Sequence, residues 1–344
     1  MDGIATGEAL YQASQRKRGL TGSTIKIIAV VSMLIDHIAA TVLTRMLIVR
    51  GLYSLPGDVA SVAAWLAENG DLYLIMTTMR AIGRLGFPIF CFLLTEGFQK
   101  TRNLKKYILR LGLFALISEI PFDLAISGRV LEFQYQNVYF TLFLGILSLT
   151  AFDYMARWNP GKGLQALLTL AGLLLLPLYG AVFLFLQLRS WFFYPVGGAV
   201  FGVLFGVFFA AVLLFYGIYR KGKGSDRAWR VCADLAALAV LMAAADLLRT
   251  DYAGMGVLTI AVMYCFRRNK AGSMAAGCGA LNLMCFLEMN PSEIPAFFAL
   301  LPIALYNGER GLKMKYFFYV FYPAHLLLLW LISAAMGMGG ISAV

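Results

Sequence analysis

The sequence predicts an all-α integral membrane protein with ten to eleven transmembrane helices. Its 344 residues are 60% hydrophobic and only 14% charged, and the mean hydropathy is +0.76. A soluble domain is nearer to half apolar and a quarter charged. Apolar runs of about 20 residues, the length that crosses a bilayer as a helix, recur along almost the whole chain. We therefore expect one membrane domain and no separate soluble domain.

Eleven apolar segments are candidate spans, and they occupy most of the chain. In order they cover residues 25–48, 72–98, 104–127, 136–157, 163–188, 192–219, 229–249, 254–266, 272–288, 294–306 and 316–338. The segments 254–266 and 294–306 are short, and we expect them to be half-spans or re-entrant. The domain prediction is a polar tail over 1–24, a single membrane domain over 25–338, and a short C-terminal tail over 339–344.

The basic residues predict the orientation. Most of the 29 Lys and Arg residues fall in alternate connecting segments, beginning with Arg16, Lys17 and Arg18 before the first span. The positive-inside rule places such segments in the cytoplasm, so we expect a cytoplasmic N-terminus and eleven crossings. The cytoplasmic placement of these segments then explains the net charge of +11. We therefore expect the protein to contact the lipid bilayer and not to bind nucleic acid.

The five cysteines lie in apolar stretches. They form no CxxC pair and have no histidine at a metal-ligand spacing. We expect small buried hydrophobic side chains, with no disulfide framework and no metal site. The residues are Cys91, Cys232, Cys265, Cys278 and Cys285.

Polar and ionisable side chains interrupt several of the predicted spans. Such groups are costly at bilayer depth and usually face an interior cavity. With a rise of 1.5 Å per residue, the most informative ones share a band between the middle and the outer half of the bilayer. They are Asp36, His37, Arg84, Glu119, Asp123, Asn137 and His325. A shared depth is the condition for these side chains to form one site.

Asp36 and His37 are adjacent in the first predicted span. Consecutive residues point about 100° apart on a helix, so the two side chains do not pair with each other. His37 therefore needs a partner on another helix. The alternative interpretation of His37, and of His325, is a hydrogen-bonded histidine with only a structural role.

Two further pairs lie at similar depth. Glu119 and Asp123 are spaced i, i+4 on one helix face, with Pro121 between them to kink the helix. Arg80 and Arg84 have the same spacing on another span. One alternative is that the two carboxylates neutralise the two guanidinium groups as interhelical ion pairs.

Several strings in this sequence resemble the TraX family, and they follow the family order from residue 25 to about 330. The strings are KIIAVVSMLIDH, RAIGRLGFPIFCFLLTEGFQKTRNLKKYILR, ALISEIPFDLA, QNVYFTLFLGIL, DYAGMGVL and KYFFYVFYPAHLL. The resemblance places the chain in the transmembrane acyltransferase superfamily, beside the acyltransferase-3 O-acetyltransferases and the lysosomal heparan-glucosaminide acetyltransferase.

That resemblance implies a transmembrane acyltransferase-like bundle in a bacterial inner membrane. It implies acetyl-CoA as acyl donor and no metal. The acceptor would be a hydroxyl or amine on a glycan, peptide or small molecule. The family takes its name from the N-terminal acetylation of pilin, and other members acetylate surface polysaccharides. Whether the chain forms a homodimer stays open.

The residue roles follow the same resemblance. Acyltransferase-3 proteins carry a basic residue, ten residues and then an essential histidine on the first helix, a spacing that Lys26 and His37 match. His37 would act as general base or as acyl carrier. Arg80 or Arg84 would stabilise the oxyanion, and a carboxylate would orient the imidazole. Catalytic candidates are Asp36, His37, Glu119 and Asp123; donor-binding candidates are Lys26, Arg80, Arg84, Lys105, Lys106, Arg110, Asn137 and His325.

Two other classes of function stay open. Intramembrane Asp, Glu and His also build proton relays, so a proton-coupled transporter or flippase of the envelope is the main alternative. We find no internal repeat of the kind common in transporters. The third class is a non-catalytic membrane component of a secretion or envelope assembly. Binding of acetyl-CoA separates the first class from the other two.

Overall fold

The computed structural model describes residues 18–191, 197–288, 291–312 and 314–343. Within these residues the chain forms helices and no β-strand. The α-helices are α1 Gly22–Ile38, α2 Thr44–Val49, α3 Val59–Gly83, α4 Gly86–Lys100, α5 Leu104–Ser127, α6 Val138–Arg157, α7 Lys162–Trp191, α8 Gly198–Lys223, α9 Ser225–Leu247, α10 Ala253–Cys265, α11 Lys270–Leu287, α12 Leu300–Ala304 and α13 Lys315–Ala335. A π-helical turn, Ala39–Leu43, joins α1 to α2, and Leu52–Ser54 and Pro291–Ala299 are 3-10 helices.

The multi-pass, all-α class is confirmed, but fewer segments qualify as spans than the sequence predicts. In the described parts of the chain, seven are long and apolar enough to cross a membrane: Gly22–Val49, Val59–Lys100, Val138–Arg157, Lys162–Ser190, Gly198–Lys223, Arg227–Leu247 and Phe317–Ala335. The short segment 294–306, expected to be a half-span or re-entrant, consists of a 3-10 helix followed by the five-residue α12 and is too short to cross a bilayer as one helix. The 13 residues of α10 reach only about 20 Å.

The predicted span 72–98 belongs to a longer, bent segment. Helices α3 and α4 follow each other over Val59–Lys100, 42 residues in all, and the helix breaks at Arg84–Leu85. A continuous helix of that length would measure about 63 Å, twice the hydrocarbon core of a bilayer. Beside the break, α1 and α3 approach so closely that a Cβ on Gly83 would overlap the Cβ of Asp36. Only glycine allows this contact.

The start of α1 is fixed to the segment that precedes α13. The hydroxyl of Thr21 accepts a hydrogen bond from the Thr24 amide and caps the helix. The Leu20 amide donates to the Leu305 carbonyl at 2.8 Å, and the Leu20 carbonyl accepts from the Asn307 amide at 2.9 Å. The first span and the loop before the last span therefore form one end of the bundle together.

The core lies between α4, α6, α10 and α11, whose buried side chains form one hydrophobic cluster. Helix α9 packs on α6, α7 and α10, and α13 packs on α5. Helix α8 lies at the periphery, packs mainly on α7 and α9, and has no buried residue. Its surface is left for lipid.

The segment after α13 is docked onto the bundle, whereas the sequence predicts a short tail. Its backbone reaches the end of α5, where the Ala343 amide donates to the Ile126 carbonyl at 2.8 Å. It also covers Arg45, whose side chain is fully buried. Arg45 Nε donates to the Ile341 carbonyl at 2.7 Å, and Nη1 lies 3.4 Å from the Ser333 hydroxyl. Neutral oxygens thus hold this guanidinium.

Candidate functional site

A cavity of about 870 Å³ lies inside the bundle. This volume falls within the roughly 300–1,000 Å³ typical of small-molecule and cofactor sites. Its walls are side chains of α1, α4, α5, α6 and α13, together with residues 251–252 and the loop before α13. Five basic residues line it: Lys26, Lys100, Arg102, Arg110 and Arg310. We call these five residues the basic lining.

Helix α1 forms one wall of the cavity along most of its length. Gly22, Lys26, Met33 and His37 all face the cavity, because residues three and four apart share a helix face. From Gly22 to His37 the helix rises about 22 Å. The same wall therefore carries a lysine near one end of the cavity and the imidazole at the other.

The imidazole of His37 is hydrogen-bonded to a second imidazole, that of His325 on α13. His37 Nδ1 lies 2.6 Å from His325 Nε2, and the two rings are parallel within 2°. The sequence prediction that His37 has a partner on another helix is confirmed. His325 is buried and does not line the cavity, so its predicted role in donor binding is not supported by its position.

The helix changes its winding directly after His37. The five residues Ala39–Leu43 form a π-helical turn, a distortion often found at functional sites. The hydroxyl of Thr41 donates to the His37 carbonyl at 2.6 Å and satisfies that group. The ring of Tyr322 stands edge-on to the imidazole, with centroids 6.0 Å apart, and also lines the cavity. His37 is thus held by its backbone and by two residues of α13.

Two ion pairs lie beside the cavity. Arg80 Nη1 is 2.6 Å from an Asp36 carboxylate oxygen, and Arg84 Nη1 is 2.7 Å from Glu293. Both side chains of the second pair are largely buried, with 16% of Arg84 and 5% of Glu293 exposed. The predicted alternative, in which the arginines pair with the carboxylates of α5, is wrong. The two arginines pair instead with an acid on α1 and an acid on the Pro291–Ala299 helix.

A turn between α9 and α10 brings two more polar side chains into the cavity. Asp251 accepts a hydrogen bond from the Tyr135 hydroxyl at 2.6 Å, and the Tyr252 ring stacks on Phe87 with centroids 3.6 Å apart. The turn is strained, because Tyr252 has φ of 62° and Ala253 has φ of 40°. Non-glycine residues rarely adopt such angles, and they concentrate at functional sites.

Of the other predicted site residues, some line the cavity and some do not. Lys26, Asp36 and Arg110 line it together with His37. Lys105 and Lys106 are exposed on the first turn of α5 and do not line the cavity.

The predicted carboxylates of α5 form a separate polar group. The Glu119 carboxylate accepts hydrogen bonds from the side chain and the backbone amide of Asn137, and Asn137 also caps α6. Asp123 accepts from the Glu132 amide at 2.9 Å. None of these residues lines the cavity, and the partner of the His37 imidazole is His325. We therefore do not retain Glu119 or Asp123 as groups that orient His37.

Several residues that contribute to the site were not among those predicted from the sequence. Asp251 and Tyr252 lie in the string DYAGMGVL, which contributes to the family resemblance but assigns no role to either residue. Glu293 directly precedes the short apolar segment 294–306 and lies outside every predicted span. Tyr322 and Arg310 gave no distinct signal among the many tyrosines and basic residues. Tertiary packing brings these five side chains to the site.

In the described ranges, no group of three or more His, Cys, Asp or Glu side chains is arranged to hold a metal ion. All five cysteines are free. Four are buried as expected, and Cys265 at the end of α10 is exposed.

Comparison with known proteins places this arrangement in a family. The chain is 27% identical over 321 residues to a protein of Dichelobacter nodosus described as "Probable fimbrial assembly protein FimC, serogroup H1", covering 89% of this chain and 92% of the relative. No solved structure shows a significant match. The family model described as "TraX protein" matches residues 21–216 and 200–333, which is most of the chain. The chain therefore belongs to the TraX family.

Proposed function

We propose that the protein is a membrane-embedded acyltransferase that moves an acetyl group from acetyl-CoA to a hydroxyl or amine. One observation carries the proposal: a single cavity joins a set of five basic side chains to an imidazole with a free nitrogen. The positive-inside rule supports a cytoplasmic location for the basic segments, and therefore entry of the donor from the cytoplasm. We further propose a bacterial inner membrane, by analogy with the family.

The basic lining suits a polyanionic donor. Phosphate groups form strong charge-assisted hydrogen bonds with arginine and lysine, and a cleft lined by one sign of charge concentrates the opposite ion. Arg102, Arg110 and Arg310 supply guanidinium groups, which bind phosphate in a bidentate manner. The phosphates would remain at this end while the thioester extends along α1 towards His37.

The imidazole of His37 supplies the acid–base chemistry. As an acceptor oxygen or nitrogen attacks the thioester carbonyl carbon, His37 Nε2 takes the proton that the acceptor loses. The carbon–sulfur bond then breaks, and the same proton passes to the leaving sulfur, so that CoA departs as the thiol. In a variant of this route, Nε2 attacks the thioester carbonyl carbon, the carbon–sulfur bond breaks and CoA leaves as the thiolate. The acceptor then takes the acetyl group from Nε2, and the proton that the acceptor loses passes to the CoA sulfur. Both routes need Nε2 unprotonated.

The nature of the acceptor is suggested by the relatives. The D. nodosus relative is described as a probable fimbrial assembly protein, and that description points to the assembly of surface appendages. We propose that the acceptor is a component of the cell envelope. A general base at His37 would serve an alcohol as well as an amine.

The proposal is tested with purified protein in detergent. Binding of radiolabelled acetyl-CoA and its slow hydrolysis are measured for the wild type, for His37→Ala, and for Leu214→Ala on α8 as a control. We expect wild type and control to bind and hydrolyse the donor. His37→Ala should bind with a Kd within about twofold but turn over at least ~100-fold more slowly, the usual contribution of a general base.

Two results would contradict the proposal. Failure of the folded wild type to bind acetyl-CoA would contradict the acyltransferase proposal. Uptake assays in proteoliposomes with an imposed proton gradient would then test the proton-coupled transporter. Unchanged hydrolysis by His37→Ala would remove the assigned role of the imidazole.

A further inference from the structure

We propose that His325 is a positioning residue that holds His37 in the tautomer with the proton on Nδ1, so that Nε2 faces the cavity as the base. This inference rests on the proposed function for its catalytic meaning, but the tautomer itself is a property of the resting protein. The two histidines are the only ones in the chain, and both are within the described residues.

The direction of each hydrogen bond follows from the backbone carbonyl of Phe321, to which His325 is bonded. His325 Nδ1 lies 2.8 Å from the backbone carbonyl oxygen of Phe321. A carbonyl oxygen only accepts, so His325 Nδ1 carries the proton. In a neutral imidazole the other nitrogen is then an acceptor, and His325 Nε2 accepts from His37 Nδ1 at 2.6 Å. His37 Nε2 is therefore left without a proton.

The surroundings fix the His325 ring. The side chain is 5% exposed, and its ring stacks on the Phe321 ring with centroids 4.7 Å apart and planes 14° apart. Tyr322 meets it edge-on at 5.7 Å. These contacts prevent the His325 ring from turning freely. The Phe321 carbonyl therefore determines the protonation of His37 through the fixed ring of His325. A hydrogen-bond partner that fixes which nitrogen of a histidine is protonated is a common feature of catalytic imidazoles.

A neutral partner has a definite consequence for the site. A carboxylate behind the imidazole would orient it and would also add a negative charge. An imidazole orients it without adding one, next to a cavity already lined by Asp36 and Asp251. The acidic groups that the sequence analysis proposed for this task are occupied elsewhere. His325 thus supplies the orienting function in uncharged form.

The first test reads the tautomers directly. Because the chain has only two histidines, protein labelled with ¹⁵N-histidine and purified through a histidine-free tag gives four ring nitrogen signals. Magic-angle-spinning NMR in lipid should show Nδ1 protonated and Nε2 unprotonated in both rings. In His325→Leu, the remaining ring should redistribute towards the Nε2-protonated form. Leu214→Ala on the peripheral helix α8 is the control, and its signals should match the wild type.

The tautomer measurement has a clear opposing result. An Nε2-protonated His37 in the wild type would overturn the proposal, and so would an unchanged His37 pattern in folded His325→Leu protein. Neither result depends on enzymatic turnover. A protein that fails to use acetyl-CoA but shows the expected tautomers would contradict the proposed function and leave this inference standing.

The second test separates positioning from donor binding. His325→Leu should lower kcat for acetyl-CoA hydrolysis about 10- to 100-fold and leave KM within twofold. His325→Gln offers an oxygen that can accept from His37 Nδ1, so it should recover part of the lost kcat. Adding His325→Leu to His37→Ala should cause no further loss. A raised KM with unchanged kcat, or equal losses in the Leu and Gln variants, would assign His325 to another role.

Discussion

Two regions of this molecule solve the problem of lying in a membrane in different ways. The site region, which consists of α1, α3–α6, α10, α13 and the Pro291–Ala299 helix, contains the cavity, the two ion pairs and the paired histidines. The peripheral pair, α7 and α8, consists of apolar helices of 30 and 26 residues. Helix α8 buries no residue within the protein.

The irregularities of the backbone follow the same division. The π-helical turn after His37, the break at Arg84–Leu85 and the strained turn at Tyr252 all lie in the site region. The peripheral helix α7 continues even through Pro177. Departures from regular helix cost free energy in a membrane, because backbone groups need partners there. The comparison teaches that such costs are accepted only where polar side chains must be brought together.

The largest effect is expected from breaking the Arg84–Glu293 pair. Glu293→Leu leaves the buried guanidinium without this partner, which should lower the free energy of unfolding by about 3–5 kcal/mol. Replacing both residues, as Arg84→Met with Glu293→Leu, should recover most of the loss, since no charge is then stranded. Unfolding in mixed micelles measures both variants. A loss below about 1 kcal/mol for the single variant would contradict the importance of the pair.

A smaller effect is expected from one methyl group at the contact between α1 and α3. Gly83→Ala must displace Asp36 and should cost about 1–3 kcal/mol, the usual range for overpacking, and reduce acyl transfer. Gly202→Ala on α8 is the matched control, because its Cβ would meet nothing within 4 Å. Thermal unfolding and acetyl-CoA hydrolysis report both changes. Equal behaviour of the two variants would break the comparison between the regions.

The basic residues provide a test of binding without large changes in stability. Arg110→Gln and Arg310→Gln remove charges of the basic lining and should each raise KM for acetyl-CoA about 10- to 150-fold, as expected for a lost charge-assisted hydrogen bond of about 1.5–3 kcal/mol. Lys106→Gln removes an exposed charge outside the cavity and should change KM less than twofold. If all three variants raise KM equally, general attraction and not the cavity binds the donor.

The smallest effect is expected on α8. Leu214 is 66% exposed, so Leu214→Ala should change the free energy of unfolding by less than about 0.5 kcal/mol. The same substitution at the fully buried Leu149 of α6 should cost about 2–5 kcal/mol. A cost at Leu214 as large as that at Leu149 would mean that α8 packs against another protein surface.

Some features of the site could be predicted from the sequence, and the reasons are physical. His37 stands out because an ionisable group inside an apolar run is rare and costly. Its distance from Lys26 along one helix follows from helix geometry alone. Helix geometry also excludes Asp36 as its partner and requires one on another helix. These conclusions depend on local rules, and the structure retains them.

Other features depend on packing between distant segments. Several acidic residues could pair with Arg80 and Arg84. The sequence does not show that the partners are Asp36 and Glu293 and not the acids of α5. The apolar composition of 294–306 resembles a short span, although Pro295 and the 3-10 winding prevent a regular helix. Hydropathy measures preference for an apolar environment, and the interior of the bundle satisfies that preference as well as lipid does.

The buried Arg45 has a consequence for synthesis of the chain. Its Nε partner, the carbonyl of Ile341, lies 296 residues later in the sequence. At about 5–20 residues per second, translation reaches that residue about 15–60 s after Arg45. Until then the guanidinium of Arg45, on α2, must stay near the membrane surface, where the long arginine side chain can reach water. The final position of the first span is therefore completed only after the last span has been made.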